Sequence, residues 1–384
     1  MKIVNSFKDI KTPFFLCDEV LLEKNLKLLD YVQQKSGVKI LLALKGYALW
    51  STFDLCKKYL SGCCASGLHE AKLAYTKFGK EVHTYSVAFK DEDIDEILNI
   101  SNNIIFNSFS QYNRFKSKLS SNISVGFRIN PEVSTVKVPL YDPCSSVSRL
   151  GVTKKEFEKN ILLDNSFLFS IDGLHFHALC EQNVDDLRLV LDKFEKNFKD
   201  YFKYLKWINF GGGHHITRSD YDVEGLIILL NEFKIKYPNI TIYLEPGEAI
   251  GWKTGYLVTK VLDIVYNNQN IAILDTSAEA HMSDVLAMPY RPSIKNAFLP
   301  NEKKYTYQLG GTTCLAGDII GEYSFKNELK IGDLIIIEDM IHYTMVKTTT
   351  FNGINLPSIV LKKSDGLCHI IKDFGYNDYF SRLS

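Results

Sequence analysis

A lysine, a glycine triplet and a glutamate each end a short apolar run in this sequence, and together they suit one kind of chemistry. Lys45 ends the run KILLALK, and a lysine in apolar surroundings has a lowered pKa and can form a Schiff base with an aldehyde. Gly211-Gly212-Gly213 follow WINF and can present backbone N–H groups to an anion such as phosphate. Glu245 opens the turn EPG, where a carboxylate could keep a pyridine nitrogen protonated. Taken singly, the lysine is equally explained as a strand-end side chain that reaches solvent. The alternative for the glycines is a permissive turn.

The histidines near these groups allow two interpretations. His175 and His177 flank one phenylalanine in an apolar run, so they are expected on one face of a strand. Together with His214-His215 they could form the metal site of a barrel hydrolase. A metal site would leave the lysine and the glycine triplet without a role, so we favour a histidine that faces the same cofactor as the lysine. A lysine, a phosphate loop, a ring-facing histidine and a carboxylate are what pyridoxal 5′-phosphate (PLP) needs, and no metal ligand set is predicted.

The elements that must position these groups form a series of eight short apolar runs separated by helical patterns. Strands that are buried on both faces read as continuous apolar runs. Eight of them alternating with helices is the count of a (β/α)₈ barrel, in which reactive residues lie at the carboxyl ends of strands. A doubly wound parallel sheet is the alternative. The predicted strands are Lys39–Lys45, Gly62–Ser66, Val82–Val87, Asn103–Asn107, Ile123–Asn130, Ile171–Leu179, Trp207–Gly211 and Thr241–Gly247, and helical patterns include Leu68–Phe78, Asp91–Ile100 and Asp185–Leu205.

After about residue 258 the pattern changes to short alternating segments with frequent Gly, Pro and Asn, which is typical of an antiparallel sheet. The predicted fold class is therefore α/β, with a TIM-like (β/α)₈ barrel over residues 21–257 and a mostly antiparallel C-terminal β domain over 258–384. The N-terminal residues 1–20 are assigned to the β domain. The strands predicted for this domain are Phe14–Cys17, Tyr256–Val265, Asn270–Leu274, Tyr305–Gly310, Leu334–Ile337 and Ile359–Leu361.

Composition narrows the class of protein. The 384 residues contain 45 Lys+Arg and 45 Asp+Glu, so no excess of cations favours a nucleic-acid or acidic-membrane partner. No run of 18 apolar residues and no secretory leader is present, which indicates neither a membrane span nor secretion. The eight cysteines, of which Cys63-Cys64 are adjacent, do not form a disulfide framework. We therefore expect a reduced, cytoplasmic enzyme.

Several longer segments, taken in order, resemble the alanine racemase-fold (fold type III) group of PLP-dependent decarboxylases, which includes ornithine/arginine and diaminopimelate decarboxylases. The resemblance extends over nearly the whole chain, from TPFFLCD to TTTFNG, and is greatest to members of the group that form polyamines. It implies decarboxylation of a polyamine-like amino acid with PLP as cofactor. The segments are GLHFHALCE, NFGGGHHI, LEPGEAIGW, HMSDVLAMPYRP, GGTTCLAGDIIGEYSF and MIHYTMVKTTTFNG.

The resemblance also implies roles around the cofactor. Lys45 would hold PLP as a Schiff base, His177 would stack on the pyridine ring, and Gly211–Gly213 would receive the phosphate. Glu245 would pair with the ring nitrogen, and Tyr343 would lie near the phosphate and the substrate.

Cys314 matches a family cysteine that enters the neighbouring subunit's site and protonates the substrate carbon. If it does so here, each active site is complete only in a homodimer. The alternative for Cys314 is a small buried hydrophobe. A racemase of the same fold would use a tyrosine in place of this cysteine.

The chain departs from ornithine- and diaminopimelate-type relatives at two positions. Glu248 stands where those relatives carry a phosphate-binding arginine, and Leu315 stands where they carry an acid that grips the substrate. A polyamine-like substrate is a chain of ammonium groups, which need carboxylate partners when they are desolvated. We therefore expect Glu248 and Asp284 to bind substrate. Three further roles stay open: Arg291 as a phosphate ligand, and Asp318 and Glu322 as substrate ligands, helix caps or rim residues.

Other functions remain as alternatives. The nearest are a diaminopimelate or ornithine/arginine decarboxylase, against which Glu248 and Leu315 weigh. A non-catalytic PLP-binding barrel is disfavoured by the large β domain. A metal-dependent barrel hydrolase built on His175, His177 and His215 is the remaining one.

Overall fold

The computed structural model describes residues 2–384, which form two compact units. One unit comprises residues 25–250, and the other comprises the N-terminal residues up to Lys24 together with 251–384. The barrel and β-domain limits predicted from the sequence, 21–257 and 258–384 with 1–20, stay a prediction. Within residues 2–384, no helix is both long and apolar enough to cross a membrane.

The chain begins with two strands that belong to the sheet of the second unit. They are β1 (Lys2–Val4) and β2 (Phe14–Asp18). The residues of β2 are all buried, as expected of a strand covered on both faces.

The residue 25–250 unit contains a closed barrel of eight parallel strands, so the (β/α)₈ prediction is confirmed. Each predicted barrel strand is present, but all eight end one to four residues earlier at the carboxyl side than the sequence indicates. The apolar runs continue past the last ladder hydrogen bond, because the residues that follow are buried in the loops of the barrel. The strands are β3 (Lys39–Ala43), β4 (Gly62–Ala65), β5 (Glu81–Tyr85), β6 (Asn103–Phe106), β7 (Ser124–Arg128), β8 (Gly173–His175), β9 (Trp207–Asn209) and β10 (Thr241–Leu244).

Amphipathic helices alternate with these strands. In the helix that follows β8, Val184–Phe198, buried residues recur mostly every three or four positions, and Asn183 caps the first turn by accepting a hydrogen bond from the Val184 N–H. The predicted helix over Leu68–Phe78 ends as a π-helical turn from Ala74. The helices up to the end of this unit are α1 (Glu19–Ser36), α2 (Phe53–Tyr59), α3 (Leu68–Leu73), α4 (Asp91–Ile100), α5 (Phe109–Phe115), α6 (Lys154–Leu163), α7 (Val184–Phe198), α8 (Val223–Lys236) and α9 (Glu248–Gly251).

One large ring in the barrel core, that of Trp207, is accommodated by two glycines. Trp207 is 4% exposed and packs with Leu41, Ile105 and Tyr243 from three other strands. A Cβ at Gly126 or Gly173 would lie 2.3 or 2.1 Å from the Trp207 ring. The indole N–H donates to the Ser124 hydroxyl (2.8 Å). The centre of the barrel is therefore a packed core, and its chemistry is confined to the strand ends.

Among the described residues, the second unit is a mixed, mostly antiparallel sheet, as predicted, and it has nine strands. Strand β2 pairs in parallel with one C-terminal strand and antiparallel with the long strand that opens the domain. Three strands of this sheet, β1, Ile319–Phe325 and Cys368–Lys372, were not predicted from the sequence. The strands that follow the barrel are β11 (Gly255–Tyr266), β12 (Asn270–Leu274), β13 (Tyr305–Gly310), β14 (Ile319–Phe325), β15 (Leu334–Glu338), β16 (Ser358–Lys362) and β17 (Cys368–Lys372), and the helices are α10 (Ala278–His281), α11 (Ser283–Ala287), α12 (Tyr343–Val346) and α13 (Tyr376–Phe380).

Candidate active site

Lys45 lies just beyond β3, in a turn in which the N–H groups of Gly46 and Tyr47 both donate to the Ala43 carbonyl. The prediction that it ends the strand is therefore wrong by two residues. Its Nζ lies 3.4 Å from His177 Nε2. Desolvation, together with the positive charge of Arg128, lowers the pKa of Lys45. The lowered pKa increases the fraction of neutral amine, which is the nucleophilic form.

His177 lies in the loop after β8 and not on the strand, so the prediction that it shares a strand face with His175 is wrong. Two contacts fix this loop: the Gly212 N–H donates to His177 Nδ1 (2.9 Å), and Arg128 donates to the His177 carbonyl (3.3 Å). Because Nδ1 accepts, the proton of the neutral ring is on Nε2. Burial, with the positive charges of Lys45 and Arg128, holds the pKa of His177 well below its usual value. His177 is therefore a neutral ring of fixed orientation beside the lysine.

The glycine loop after β9 requires glycine at all three positions. A Cβ at Gly211 would lie 2.3 Å from the Phe176 carbonyl, one at Gly212 would lie 2.2 Å from the Glu245 carbonyl, and one at Gly213 would lie 2.0 Å from the Leu179 carbonyl. Gly211 and Gly213 also have φ of 71° and 81°, which favours glycine.

The same loop offers fewer donors than the sequence suggests. The N–H of Gly211 donates to Asn209 Oδ1, and that of Gly212 donates to His177 Nδ1. Within the described residues 2–384, only the N–H of Gly213 among the three lacks a partner. The triplet therefore shapes a close-fitting cradle and leaves one backbone donor for an anion, where three were expected.

Glu245 is a largely buried carboxylate held ionised by its neighbours. Asn209 donates to its Oε1 (2.7 Å), and His175 Nε2 lies 3.3 Å from its Oε2. Burial alone would raise the pKa of Glu245, but the interactions with His175, His83 and Asn209 lower it to about 2. A fixed negative charge at this strand end can hold a pyridine nitrogen protonated.

Two residues of this site had no role in the sequence analysis. Arg128, at the end of β7, is 6% exposed, and its guanidinium lies 4.8 Å from the centroid of the Tyr85 ring. Asn209 connects the glycine loop to Glu245 through its two amide atoms. Their positions at the ends of barrel strands were the available signal.

The geometry does not support the metal alternative. His175 faces Glu245, and His215 Nε2 lies 3.0 Å from Glu248 Oε2. In the part of the chain that the structure describes, no three His, Cys, Asp or Glu side chains are grouped as a metal site. Glu248, expected to face the substrate, thus has the ring of His215 as a close neighbour.

In the second unit, Asp284 is a buried carboxylate that accepts hydrogen bonds through one of its two oxygens. Its Oδ2 accepts hydrogen bonds from Tyr290 (3.0 Å) and Thr344 (2.7 Å). Its Oδ1 is buried without a hydrogen-bond partner among residues 2–384, and the residue is 5% exposed. A buried carboxylate with a vacant oxygen is suited to receive a cation.

Cys314 and Tyr343 are placed by separate loops of this unit. Cys314 is exposed, and its backbone N–H donates to Asn352 Oδ1 (2.8 Å), so the alternative of a buried hydrophobe is wrong. Tyr343 begins α12, with the ring of His342 6.3 Å away and Lys347 Nζ 5.6 Å from its ring centroid.

The three residues whose roles were left open have mainly structural contacts. Asp318 accepts hydrogen bonds from the N–H groups of Ala278 and Glu279 at the start of α10, which makes it a helix cap. Arg291 donates to the Phe298 and Glu322 carbonyls and stacks over Tyr323, 4.5 Å from the ring centroid. Glu322 lies on β14.

Comparison with known proteins gives one consistent result. Residues 14–341 match the family described as "Pyridoxal-dependent decarboxylase, C-terminal sheet domain". The chain is 49% identical to carboxynorspermidine/carboxyspermidine decarboxylase of Campylobacter jejuni, over 98% of this chain and 99% of that protein. It is 41% identical to carboxyaminopropylagmatine decarboxylase of Synechocystis, over 97% of this chain and 96% of that protein.

A solved structure agrees with these relatives. The crystal structure of carboxynorspermidine decarboxylase from C. jejuni in complex with norspermidine has a TM-score of 0.90 to this chain at 47% identity. The match covers 97% of this chain and 100% of that one.

Proposed function

We propose that this chain, which belongs to the family of pyridoxal-dependent decarboxylases, converts carboxynorspermidine and carboxyspermidine to norspermidine and spermidine with release of CO₂. The observation that carries the proposal is the 49% identity over 98% of the chain to a relative named for this activity. The norspermidine bound in the related crystal structure supports a polyamine product.

The residues of the barrel fit PLP. When bound, PLP withdraws electrons from the carbon that loses CO₂. Lys45 would hold the cofactor through its Nζ, and Glu245 would keep a proton on the ring nitrogen. His177, oriented by the Gly212 N–H, would pack against the ring face, and the glycine cradle would receive the phosphate.

In the β domain, Asp284 would bind an ammonium group of the substrate. Its vacant Oδ1 is buried, while Tyr290 and Thr344 fix the other oxygen. An ammonium ion would satisfy this oxygen with a charge-assisted hydrogen bond. Tyr343, adjacent to Thr344 in α12, would lie near the phosphate and substrate, as the family resemblance implies.

Cys314 would protonate the substrate carbon in the partner subunit's site of a homodimer. Its exposure and its anchored backbone support this role. Mixing the inactive variants K45A and C314A, after dissociation and reassociation, should restore about a quarter of the wild-type activity, because half of the dimers would each have one complete site. A mixture that stays inactive, although mixed dimers form, would contradict shared sites.

A substrate panel tests the proposed reaction. The PLP-loaded full chain is incubated with carboxynorspermidine, carboxyspermidine, carboxyaminopropylagmatine, diaminopimelate, ornithine and arginine, and the amine products are quantified by mass spectrometry. The two carboxytriamines should have the highest kcat/KM, and they should differ from each other by no more than roughly 200-fold, because one methylene distinguishes them. A higher kcat/KM for any other substrate would reassign the chain, and carboxyaminopropylagmatine would assign it the activity of the Synechocystis relative.

A further inference from the structure

A buried histidine–glutamate pair joins the segment after the glycine loop to the start of α9. His215 Nε2 lies 3.0 Å from Glu248 Oε2, and the two side chains are 2% and 17% exposed. A second link is parallel to it, since the Thr217 hydroxyl donates to the Ala249 carbonyl. The pair is thus held in place from both segments.

The pair lies next to the cradle that we assign to the cofactor phosphate. His215 is two residues beyond Gly213, and Glu248 follows the EPG turn directly. The turn and the loop touch, since the Glu245 N–H donates to the Gly211 carbonyl (2.8 Å) and the Glu245 carbonyl leaves no room for a Cβ at Gly212.

Two carboxylates of this corner of the barrel, Glu181 and Glu248, would oppose an anion, although Lys45 adds a positive charge there. Burial, with the charges of Glu181 and Glu248, raises the pKa of the nearby Cys180 thiol to about 11. An unpaired carboxylate at Glu248 would repel a phosphate at short range, because Coulomb energies are large where water is excluded. As an ion pair, His215 and Glu248 would carry no net charge.

We infer that His215, held by Glu248, cancels the carboxylate charge beside the glycine loop and so permits the cofactor phosphate to bind there. The inference rests on the proposed placement of the phosphate in the glycine cradle. His215 is a positioning residue in this account, and Glu248 is its partner instead of a substrate ligand.

The test compares two ligands that differ only in the phosphate. Dissociation constants of PLP and of pyridoxal are measured by absorbance titration of the cofactor-free full chain, without substrate. His215→Gln, which keeps an amide donor but not the charge, should weaken PLP about tenfold or more and pyridoxal less than about threefold. Glu248→Gln alone should change the PLP constant by less than about threefold, because it removes the repelling charge. The double variant H215Q/E248Q should bind PLP more tightly than H215Q.

Several outcomes would overturn the inference. One is an equal weakening of PLP binding and pyridoxal binding in H215Q, and another is a double variant that binds PLP more weakly than either single variant. A third is an E248Q variant that raises only the KM for carboxynorspermidine while H215Q leaves the PLP affinity unchanged. Thermal unfolding of each cofactor-free variant checks folding, and His215→Asn replaces H215Q, with the same expectations, if the latter does not fold.

A control variant tests specificity, and one outcome distinguishes this inference from the proposed reaction. Glu232→Gln removes a carboxylate from an exposed pair with Arg188 in the same unit and should leave the ratio of the two constants unchanged. A chain that shows the predicted ratios but turns over no carboxytriamine would refute the proposed substrates and leave this inference intact.

Discussion

Replacing Asp284 by Asn tests the proposed recognition of the substrate's cationic chain. The amide oxygen of Asn can still accept the hydrogen bonds of Tyr290 and Thr344, so the fold should be retained. The amide NH₂ would occupy the place of Oδ1 and cannot accept a hydrogen bond from an ammonium group. The variant therefore removes one charge-assisted hydrogen bond and little else.

The expected size of the effect follows from the burial of this group. A hydrogen bond to a charged group contributes about 1.5–3 kcal/mol, and 1.36 kcal/mol is a factor of ten. We expect kcat/KM for carboxynorspermidine to fall roughly 10- to 150-fold, with unchanged absorbance of the bound cofactor. Because the variant also removes a buried charge, the melting temperature should not fall.

The assay is the steady-state formation of norspermidine, with the exposed Asp333→Asn as a matched control. A D284N variant whose kcat/KM stays within about twofold of wild type would refute the argument, since the charge-assisted bond would then be absent. An equal loss in D333N would show that the effect is not specific to the buried carboxylate.

Three other perturbations address the cofactor site. Lys45→Arg keeps a cation but cannot form the bond to the cofactor aldehyde, so the visible band of lysine-bound PLP should be absent; a retained band at full occupancy would exclude Lys45. Gly212→Ala places a Cβ 2.2 Å from the Glu245 carbonyl, and the displaced loop should weaken PLP binding at least about tenfold in equilibrium dialysis; an unchanged affinity would separate the loop from the cofactor. The pKa of Glu245 is lowered from 4.5 to about 2, so its ionised form stabilises the fold above pH 4.5 and this contribution is lost as the pH falls toward 2. The cofactor-free wild type should therefore lose more unfolding free energy than Glu245→Gln when denaturant titrations are compared between pH 6 and 3, and equal losses would show that Glu245 is not held ionised by its neighbours.

The barrel could be predicted from the sequence because its strands are buried on both faces and its helices are amphipathic. The strand ends could not be predicted, because buried residues such as Phe176 and Leu179 continue the apolar run of β8 into the loop. For the same reason His177 was assigned to a strand face instead of the loop beside Lys45.

Parts of the site could not be predicted from the sequence either. The glycine triplet indicated an anion cradle, but the side chains of Asn209 and His177 that occupy two of its donors are fixed only by the tertiary structure. His215 lies in the loop after β9 and Glu248 at the start of α9, and nothing in their local sequence predicts that they meet. Asp318 has four donors around it, from α10 and from Thr313, which identifies it as a cap only once the chain is folded.

Borohydride reduction of the PLP-loaded full chain, followed by peptide mapping, identifies the lysine that holds the cofactor. We expect a single pyridoxyl adduct, on the peptide that contains Lys45, and its loss when carboxynorspermidine is added before the reductant. An adduct on another lysine, or a colourless chain that PLP does not reconstitute and that shows no adduct, would contradict this expectation.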